Sequence, residues 1–225
     1  MSVTTPNPSS GPRVPKRSVR GQVQREGVAA LFGMFALMWV IEGINTLDSN
    51  RLDSDGIYAR SVGHLWGILT APFIHVSWQH LIANTIPFAF MGLIIAVQGA
   101  RRLITVTAIV IVIGGIGTWL ISPASSAGRP LVTVGASGVV FGYATYLFAR
   151  GFFNRSVLEL LTGLIVGVVW GSALVSSVVP HSGISWQGHV SGAVAGVAAA
   201  YVLRRDRTPK SGSESTSPLD RALAA

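Results

Sequence analysis

The sequence of 225 residues contains no cysteine. Disulfide frameworks, thiolate metal sites and cysteine nucleophiles are therefore excluded. Charged residues are also scarce at 12%, while hydrophobic residues make up 49% of the chain. A soluble domain carries roughly 25% charged residues. A chain with about half that share has too little polar surface for water, so the composition predicts a protein surrounded by the lipid bilayer.

The hydrophobic residues are gathered in runs that are mostly long enough to cross a bilayer, since about 20 helical residues span the hydrocarbon core. A soluble all-α bundle would need polar stripes along its helices, and these runs have none. We therefore predict an all-α membrane protein, a bundle of six transmembrane helices. The predicted spans are Val28–Leu47, His80–Val97, Leu103–Ser122, Val134–Phe148, Val157–Val179 and Trp186–Leu203.

Two polar segments flank the apolar region. Residues 1–27 are basic and Pro-rich, residues 204–225 are polar, and both segments are predicted to be disordered. The first apolar run lacks a small-residue cleavage site, so it is predicted to be a retained span rather than a signal peptide. One membrane domain is expected between the tails, over residues 28–203.

The basic residues predict how the spans are oriented. If the six spans alternate, 14 of the 17 Lys and Arg residues fall on one side, and the exceptions are Arg51, Arg60 and Arg129. Basic segments remain in the cytoplasm, so both termini are predicted to be cytoplasmic, in a plasma (inner) membrane. The net charge of +8 then reflects topology and contact with anionic lipid, not binding of nucleic acid.

Four polar residues lie at a similar predicted depth. His80 and Asn84 begin the second span, Ser137 begins the fourth, and His189 lies near the start of the sixth. Spans two, four and six all begin on the outer side, so these side chains should lie near the outer leaflet. Polar groups within a membrane are costly and are usually functional.

Ser137 lies in the segment Gly135-Ala136-Ser137-Gly138, at a predicted helix N-terminus. Gly135 permits a tight turn into the helix and a close approach of substrate. The free N–H groups of the first helical turn could stabilise an oxyanion, which suits a nucleophilic serine. Taken alone, such a segment more often serves helix packing through small residues.

A face lined by glycine accompanies His189. His189, Gly192 and Gly196 share one helix face, and Gly138 and Gly142 form a matching face on span four. Small residues on both surfaces let two helix backbones approach closely. A serine on one helix needs this approach to reach a histidine on the other at roughly 3 Å. The pattern predicts a Ser–His dyad, and its alternative is a packing seam with an incidental histidine.

Further side chains could complete such a site. His80 and Asn84 are spaced i, i+4 on span two and could donate hydrogen bonds to an oxyanion; the alternative is hydrogen bonding to loop backbone. Phe141 lies one turn after Ser137, and it either stacks on the His189 ring or fills the core.

No metal and no cofactor are predicted. His75, His80 and His189 could in principle hold zinc, but the sequence has no H-E-x-x-H motif and no carboxylate placed as a base or fourth ligand. The acidic residues expected on the outer side cluster at 48–55. They are far along the chain from the dyad, so no third catalytic residue is predicted.

In this order and on these spans, three motifs resemble those of the rhomboid proteases. The resemblance covers about residues 28–203 and is to the basic bacterial form with six spans. It departs at Gly67, where many members have an arginine after the tryptophan. The motifs are His80-Leu-Ile-Ala-Asn84, Gly135-Ala-Ser137-Gly138 and His189-x-x-Gly192-x-x-x-Gly196.

Resemblance to this family implies an intramembrane serine endopeptidase that cleaves membrane-anchored proteins within or near a transmembrane segment. Ser137 and His189 would be the catalytic dyad, without a cofactor. His80, Asn84 and the Ser137 N–H would form the oxyanion hole. Phe141 would lie against the catalytic histidine. The implied substrate has a helix-destabilising stretch near the outer leaflet and a small residue before the cut.

Two other functions fit parts of the sequence. A non-catalytic member of the family would bind membrane proteins without cutting them, but such proteins typically lack the serine or the histidine. A small transporter or channel would need charged residues deep in its spans or inverted repeats, and only Glu42 fits this. The sequence does not indicate an oligomeric state.

Overall fold

The computed structural model describes residues 16–126, 128–179 and 184–204, and these are mostly helical. The α-helices are α1 (Lys16–Leu47), α2 (Gly67–Thr70), α3 (Trp78–Ala96), α4 (Ala100–Ile109), α5 (Gly115–Ile121), α6 (Ser137–Asn154), α7 (Val157–Val178) and α8 (Trp186–Val202). A π-helix over Val110–Gly114 joins α4 to α5. Short 3₁₀-helices lie at Arg51–Asp55, Val62–His64 and Ala71–Phe73.

Within the described part of the chain, four helical stretches are long and apolar enough to cross a membrane, namely Val19–Leu47 of α1, α3, the stretch Ala100–Ile121 and α7. The protein is therefore an integral membrane protein. The two other predicted spans correspond to α6, which contains Asn154 and Arg150, and to α8, which has 17 residues. Both helices pack against protein in the centre of the bundle, so their sequences need less apolar surface than a helix that faces lipid.

The first helix begins earlier than the sequence predicted. α1 starts at Lys16, so residues 16–27, predicted to belong to a disordered tail, are helical. Lys, Arg, Gln and Glu are good helix formers, and their polarity concealed this extension of the first apolar run. The remaining parts of the predicted tails, residues 1–15 and 205–225, lie outside the described residues.

The central helices α6 and α8 meet through their backbones. A Cβ atom added at Gly192 would lie 2.8 Å from the carbonyl carbon of Gly138, and one added at Gly196 would lie 2.8 Å from that of Gly142. Real Cβ atoms essentially never show contacts under 3.0 Å. Only glycine therefore fits at these two positions of α8. We call these four residues the glycine seam.

One end of the bundle carries buried charged and aromatic side chains. Arg102 of α4 donates hydrogen bonds of 2.7 Å to the Tyr146 hydroxyl and to the Leu203 carbonyl. Arg150 of α6 forms an ion pair of 2.8 Å with Glu159 of α7. The side chains at this basic end therefore tie α4, α6, α7 and the end of α8 together.

The opposite end is covered by the long connection between α1 and α3. Arg60 in this connection donates hydrogen bonds of 2.8 Å to the carbonyls of Leu120 and Ser122, so the connection is fixed to the end of α5. Two antiparallel pairs of short strands lie at this end: β1 (Ile57–Tyr58) with β4 (Val132–Thr133), and β2 (Ser125–Ser126) with β3 (Arg129–Pro130).

At Gly67, where the sequence departs from the motifs that it resembles, there is no room for a side chain. A Cβ atom added there would lie 2.7 Å from the carbonyl carbon of Gly56 and 3.3 Å from the backbone nitrogen of Ile57. At this point two segments of the connection between α1 and α3 are in contact backbone to backbone, at Gly67 and Gly56. An arginine at this position would force the two segments apart.

Candidate active site

Ser137 is the first residue of α6, and the chain reaches it through a turn that needs glycine. Gly135 has φ +113°, a conformation that L side chains rarely adopt. Its N–H donates to the Ala71 carbonyl at 2.8 Å, and the Ala136 N–H donates to His75 Nε2 at 3.3 Å. The segment before α3 therefore holds this turn and leaves the Ser137 N–H at the open N-terminus of α6.

His189 of α8 connects two other elements. Its Nε2 lies 2.9 Å from Ser137 Oγ, and its Nδ1 lies 2.8 Å from the carbonyl oxygen of Ser177 at the end of α7. A carbonyl oxygen can only accept a hydrogen bond, so Nδ1 carries the proton. The Nε2 lone pair of the neutral ring therefore faces the serine hydroxyl, which is the arrangement that proton removal from a serine requires.

The ring of Phe141 stacks on the face of the His189 imidazole. The two rings are stacked with centroids 4.4 Å apart and an interplanar angle of 7°. Of the two alternatives that the spacing left open, the structure places Phe141 against the histidine. The imidazole orientation is thus set by one stacked ring and two hydrogen bonds. The partner of its Nδ1–H is a main-chain carbonyl rather than a carboxylate.

His80 and Asn84 lie over the turn that precedes the serine. A Cβ atom added at Gly135 would lie 2.9 Å from His80 Nε2 and 3.6 Å from Asn84 Nδ2. Both side chains line a cavity of about 830 Å³ together with Ser137 and His189. Among the described residues no group accepts a hydrogen bond from Asn84 Nδ2, although this nitrogen is buried. The cavity can therefore receive a polar group that accepts from this amide.

A second, much smaller cavity is also lined by Ser137. Its volume is about 50 Å³, and its walls include Ile68, Gly115, Val139 and Gly192. The lining of this cavity is mostly apolar, and part of it comes from the π-helix between α4 and α5. A cavity of this size and lining suits a small apolar side chain.

His75 is a site residue that the sequence patterns missed, because they suggested only a possible metal ligand. The side chain is fully buried, and its Nε2 accepts the Ala136 N–H described above. Burial lowers the pKa of His75 from 6.5 to about 4, and the neighbouring His80 contributes to this lowering. The neutral ring therefore holds the turn before Ser137 at neutral pH. A buried histidine in a loop has no sequence signature of this role.

We expect the stability of the fold to fall as the pH drops from about 6.5 to about 4. In this window the unfolded chain binds a proton at His75 and the folded chain does not, so up to about 3 kcal/mol is lost. The measurement is the thermal unfolding midpoint in detergent at pH 7.5 and 4.5. The variant His75→Gln keeps a hydrogen-bond acceptor but cannot titrate, so its pH dependence should be smaller. Equal pH dependence in both proteins would contradict the prediction.

The histidines do not form a metal site among the described residues, where no three His, Asp or Glu side chains come together in a metal-binding group. The rings of His75 and His80 are neighbours, with centroids 5.1 Å apart and nearly perpendicular planes. His75, His80 and His189, considered as an alternative zinc site, do not come together as one such group in the described part of the chain. Hydrogen bonding to the turn and the serine accounts for the positions of His75 and His189.

Comparison of the chain with known protein families gives one match that includes the site residues. A family model described as the Rhomboid domain matches residues 62–206, which is more than half of the chain. The chain belongs to the rhomboid family. The resemblance predicted from the three motifs is thus confirmed at the level of the family. The matched region of this rhomboid protein contains Ser137, His189, His80 and Asn84.

Several proteins are similar over much of this rhomboid chain. An uncharacterized protein of Mycobacterium tuberculosis (strain H37Rv) is 38% identical over 206 residues, which cover 90% of this chain and 86% of the relative. One of Mycobacterium leprae (strain TN) is 40% identical over 181 residues, covering 79% and 71%. The rhomboid protease GluP of Bacillus subtilis is 28% identical over 148 residues, covering 63% of this chain and 26% of that protein.

Proposed function

We propose that this rhomboid protein is an intramembrane serine endopeptidase in which Ser137 is the nucleophile and His189 the general base. The observation that carries the proposal is the 2.9 Å contact between His189 Nε2 and Ser137 Oγ, with the Nδ1–H engaged by a carbonyl. A hydroxyl that faces the lone pair of a fixed imidazole, at the wall of a cavity, is arranged for proton transfer and nucleophilic attack.

In the proposed reaction His189 takes the hydroxyl proton while Ser137 Oγ attacks the carbonyl carbon of the scissile bond. The tetrahedral intermediate collapses as the imidazolium protonates the leaving amine, which breaks the C–N bond and leaves an ester on the serine. Water, deprotonated by His189, then attacks this ester. Return of the proton to Ser137 Oγ releases the carboxylate product and restores the enzyme.

The oxyanion of the intermediate is proposed to bind at His80, Asn84 and the Ser137 N–H. The unengaged Asn84 amide supports this role. We expect Asn84→Ala to lower kcat by about 10²–10³-fold, since one oxyanion donor contributes about this factor. The measurement is steady-state cleavage in proteoliposomes, with KM determined separately. An unchanged kcat would remove Asn84 from the oxyanion hole.

Six helical stretches are proposed to cross the membrane together, with α6 and α8 enclosed by the others. The enclosing stretches are α1, α3, Ala100–Ile121 and α7. The end that carries Arg102 and Arg150 is placed in the cytoplasm with both termini, because basic residues favour that side. The cavity at Ser137 then faces the outer side, where water for hydrolysis is available. This placement is consistent with a plasma (inner) membrane protein.

The proposed substrates are membrane-anchored proteins whose chain is unwound near the outer leaflet. A carbonyl within an intact helix already accepts a hydrogen bond and is shielded from attack, so the helix must open first. The cavity of about 50 Å³ beside Ser137 supports a small side chain before the cut.

The experiment that tests the proposal is covalent labelling of the purified protein in detergent with a fluorophosphonate probe, which reacts with activated serines. We expect label on the wild type and none on Ser137→Ala or His189→Ala. Absence of label on folded wild type would contradict the proposal and favour a rhomboid-like factor that binds membrane proteins without cutting them.

A further inference from the structure

We propose that the main-chain carbonyl of Ser177 is a positioning group for His189, and that it links the alignment of the base to the position of α7. This inference rests on the proposed peptidase function, because it assigns the group that orients the general base. It adds a backbone atom of a third helix to the two side chains of the dyad.

The position of this carbonyl in α7 makes it available. An α-helix leaves its last four carbonyl groups without intrahelical partners. Ser177 is the next-to-last residue of α7, and its carbonyl accepts the hydrogen bond from His189 Nδ1 at 2.8 Å. The negative end of the helix dipole lies at the same place. The negative end of the dipole therefore stabilises the positive charge that the His189 ring acquires when it takes the serine proton.

The tautomer of His189 depends on this hydrogen bond. A neutral imidazole carries one N–H, and the bond made by one nitrogen decides which nitrogen keeps the proton. If the carbonyl is withdrawn, the proton can occupy Nε2, and the ring then donates toward Ser137 instead of accepting from it. In a serine peptidase with a carboxylate in this position, a wrong tautomer lowers kcat about 10⁴-fold.

α7 is held firmly at its first half and loosely at its second. Its first half is joined to α6 by the ion pair of Glu159 with Arg150 and by Gly163, where an added Cβ would lie 2.6 Å from the backbone of α6. The buried residues of α7 are Glu159, Gly163 and Val166, and all three lie in its first half. In its second half, Val168 and Val175 are largely exposed. A displacement of this second half would withdraw the carbonyl from the histidine while the first half stays in place.

The base of the dyad is therefore sensitive to any contact that moves the second half of α7. A helix approaching this surface from the lipid would change the orientation of His189 without touching it. The nucleophile on α6 would remain in place because the glycine seam holds α6 against α8.

The test weakens this one carbonyl without changing a side chain. Replacing Val178 with its α-hydroxy acid turns the amide that follows Ser177 into an ester, whose carbonyl is a poorer hydrogen-bond acceptor. The matched control replaces Val175 with its α-hydroxy acid. Both variants delete one N–H and weaken one carbonyl in α7, but only the first change affects the carbonyl that faces His189.

The primary readout is the tautomer of His189, measured by ¹⁵N NMR of histidine-labelled protein and assigned with His189→Ala. We expect an Nδ1–H ring in the wild type and the Val175 ester, and a mixture of tautomers in the Val178 ester. The rate of fluorophosphonate labelling should fall roughly tenfold in the Val178 ester alone, the loss expected for one weakened hydrogen bond.

An unchanged tautomer in the Val178 ester would overturn the inference, as would an equal change in both esters, which would indicate general disruption of α7. The NMR readout does not require activity. Failure of the wild type to react with the probe would therefore refute the proposed peptidase function. The tautomer experiment tests separately whether the Ser177 carbonyl orients His189.

Discussion

Ser137→Ala is expected to lower cleavage of a membrane-anchored substrate by about 10⁴-fold or more and to leave the protein folded. The substitution removes the only atom proposed to form the acyl-enzyme. Alanine is smaller than serine and fits at the start of α6, so the helix and its packing should persist. The measurement is single-turnover cleavage in proteoliposomes, combined with a thermal unfolding curve of the same preparation.

The matched control is Ser176→Ala, which removes an exposed hydroxyl that donates to the Ala173 carbonyl within α7. We expect this variant to cleave at the rate of the wild type. Cleavage that survives in Ser137→Ala and is lost in His189→Ala would contradict the proposed nucleophile and direct attention to another group beside the histidine.

Gly192→Ala is expected to damage both activity and stability, because it inserts a methyl group into the glycine seam. The new Cβ would lie 2.8 Å from the carbonyl carbon and 3.0 Å from the Cα of Gly138. Overpacking of this kind costs about 1–3 kcal/mol. A displacement of about 1 Å between Ser137 and His189 is enough to lower the rate about 10²-fold.

The seam prediction is measured by the unfolding midpoint and the cleavage rate, with Gly167→Ala as its control. Gly167 lies in α7, and a Cβ added there would have no atom of another described element within 4 Å. Alanine there should be neutral or slightly stabilising, since it is the better helix former. If Gly192→Ala behaved like Gly167→Ala, the backbone contact between α6 and α8 would not control the dyad.

Much of the helical framework could be predicted from the apolar runs. The predicted last span, Trp186–Leu203, corresponds to α8 at Trp186–Val202, and the run Val157–Val179 corresponds to α7 at Val157–Val178. Continuous apolar runs of this length specify such helices because both the lipid and the protein interior take up apolar side chains. The early start of α1 escaped prediction because polar residues with high helix propensity do not differ in hydropathy from a disordered tail.

The approach of the serine and the histidine was predictable from the sequence, but the backbone groups of the site and the His75 side chain were not. Ser137 and His189 could be predicted to approach each other because small residues accompany both on facing helices, and their catalytic roles stay predictions. The Ser177 carbonyl leaves no trace in the sequence, since every residue has one. His75 escaped because its function depends on a hydrogen bond to a turn more than sixty residues further along the chain.

The glycine seam determines how the bundle responds when the thickness of the surrounding bilayer changes. A helix bundle responds to a thinner or thicker bilayer by tilting its helices, at a cost of fractions of a kcal/mol per ångström of mismatch. α6 and α8 touch backbone to backbone, so they can tilt only as one rigid unit. Changes in lipid composition should therefore alter how deep the serine and histidine lie in the bilayer while leaving the distance between them unchanged.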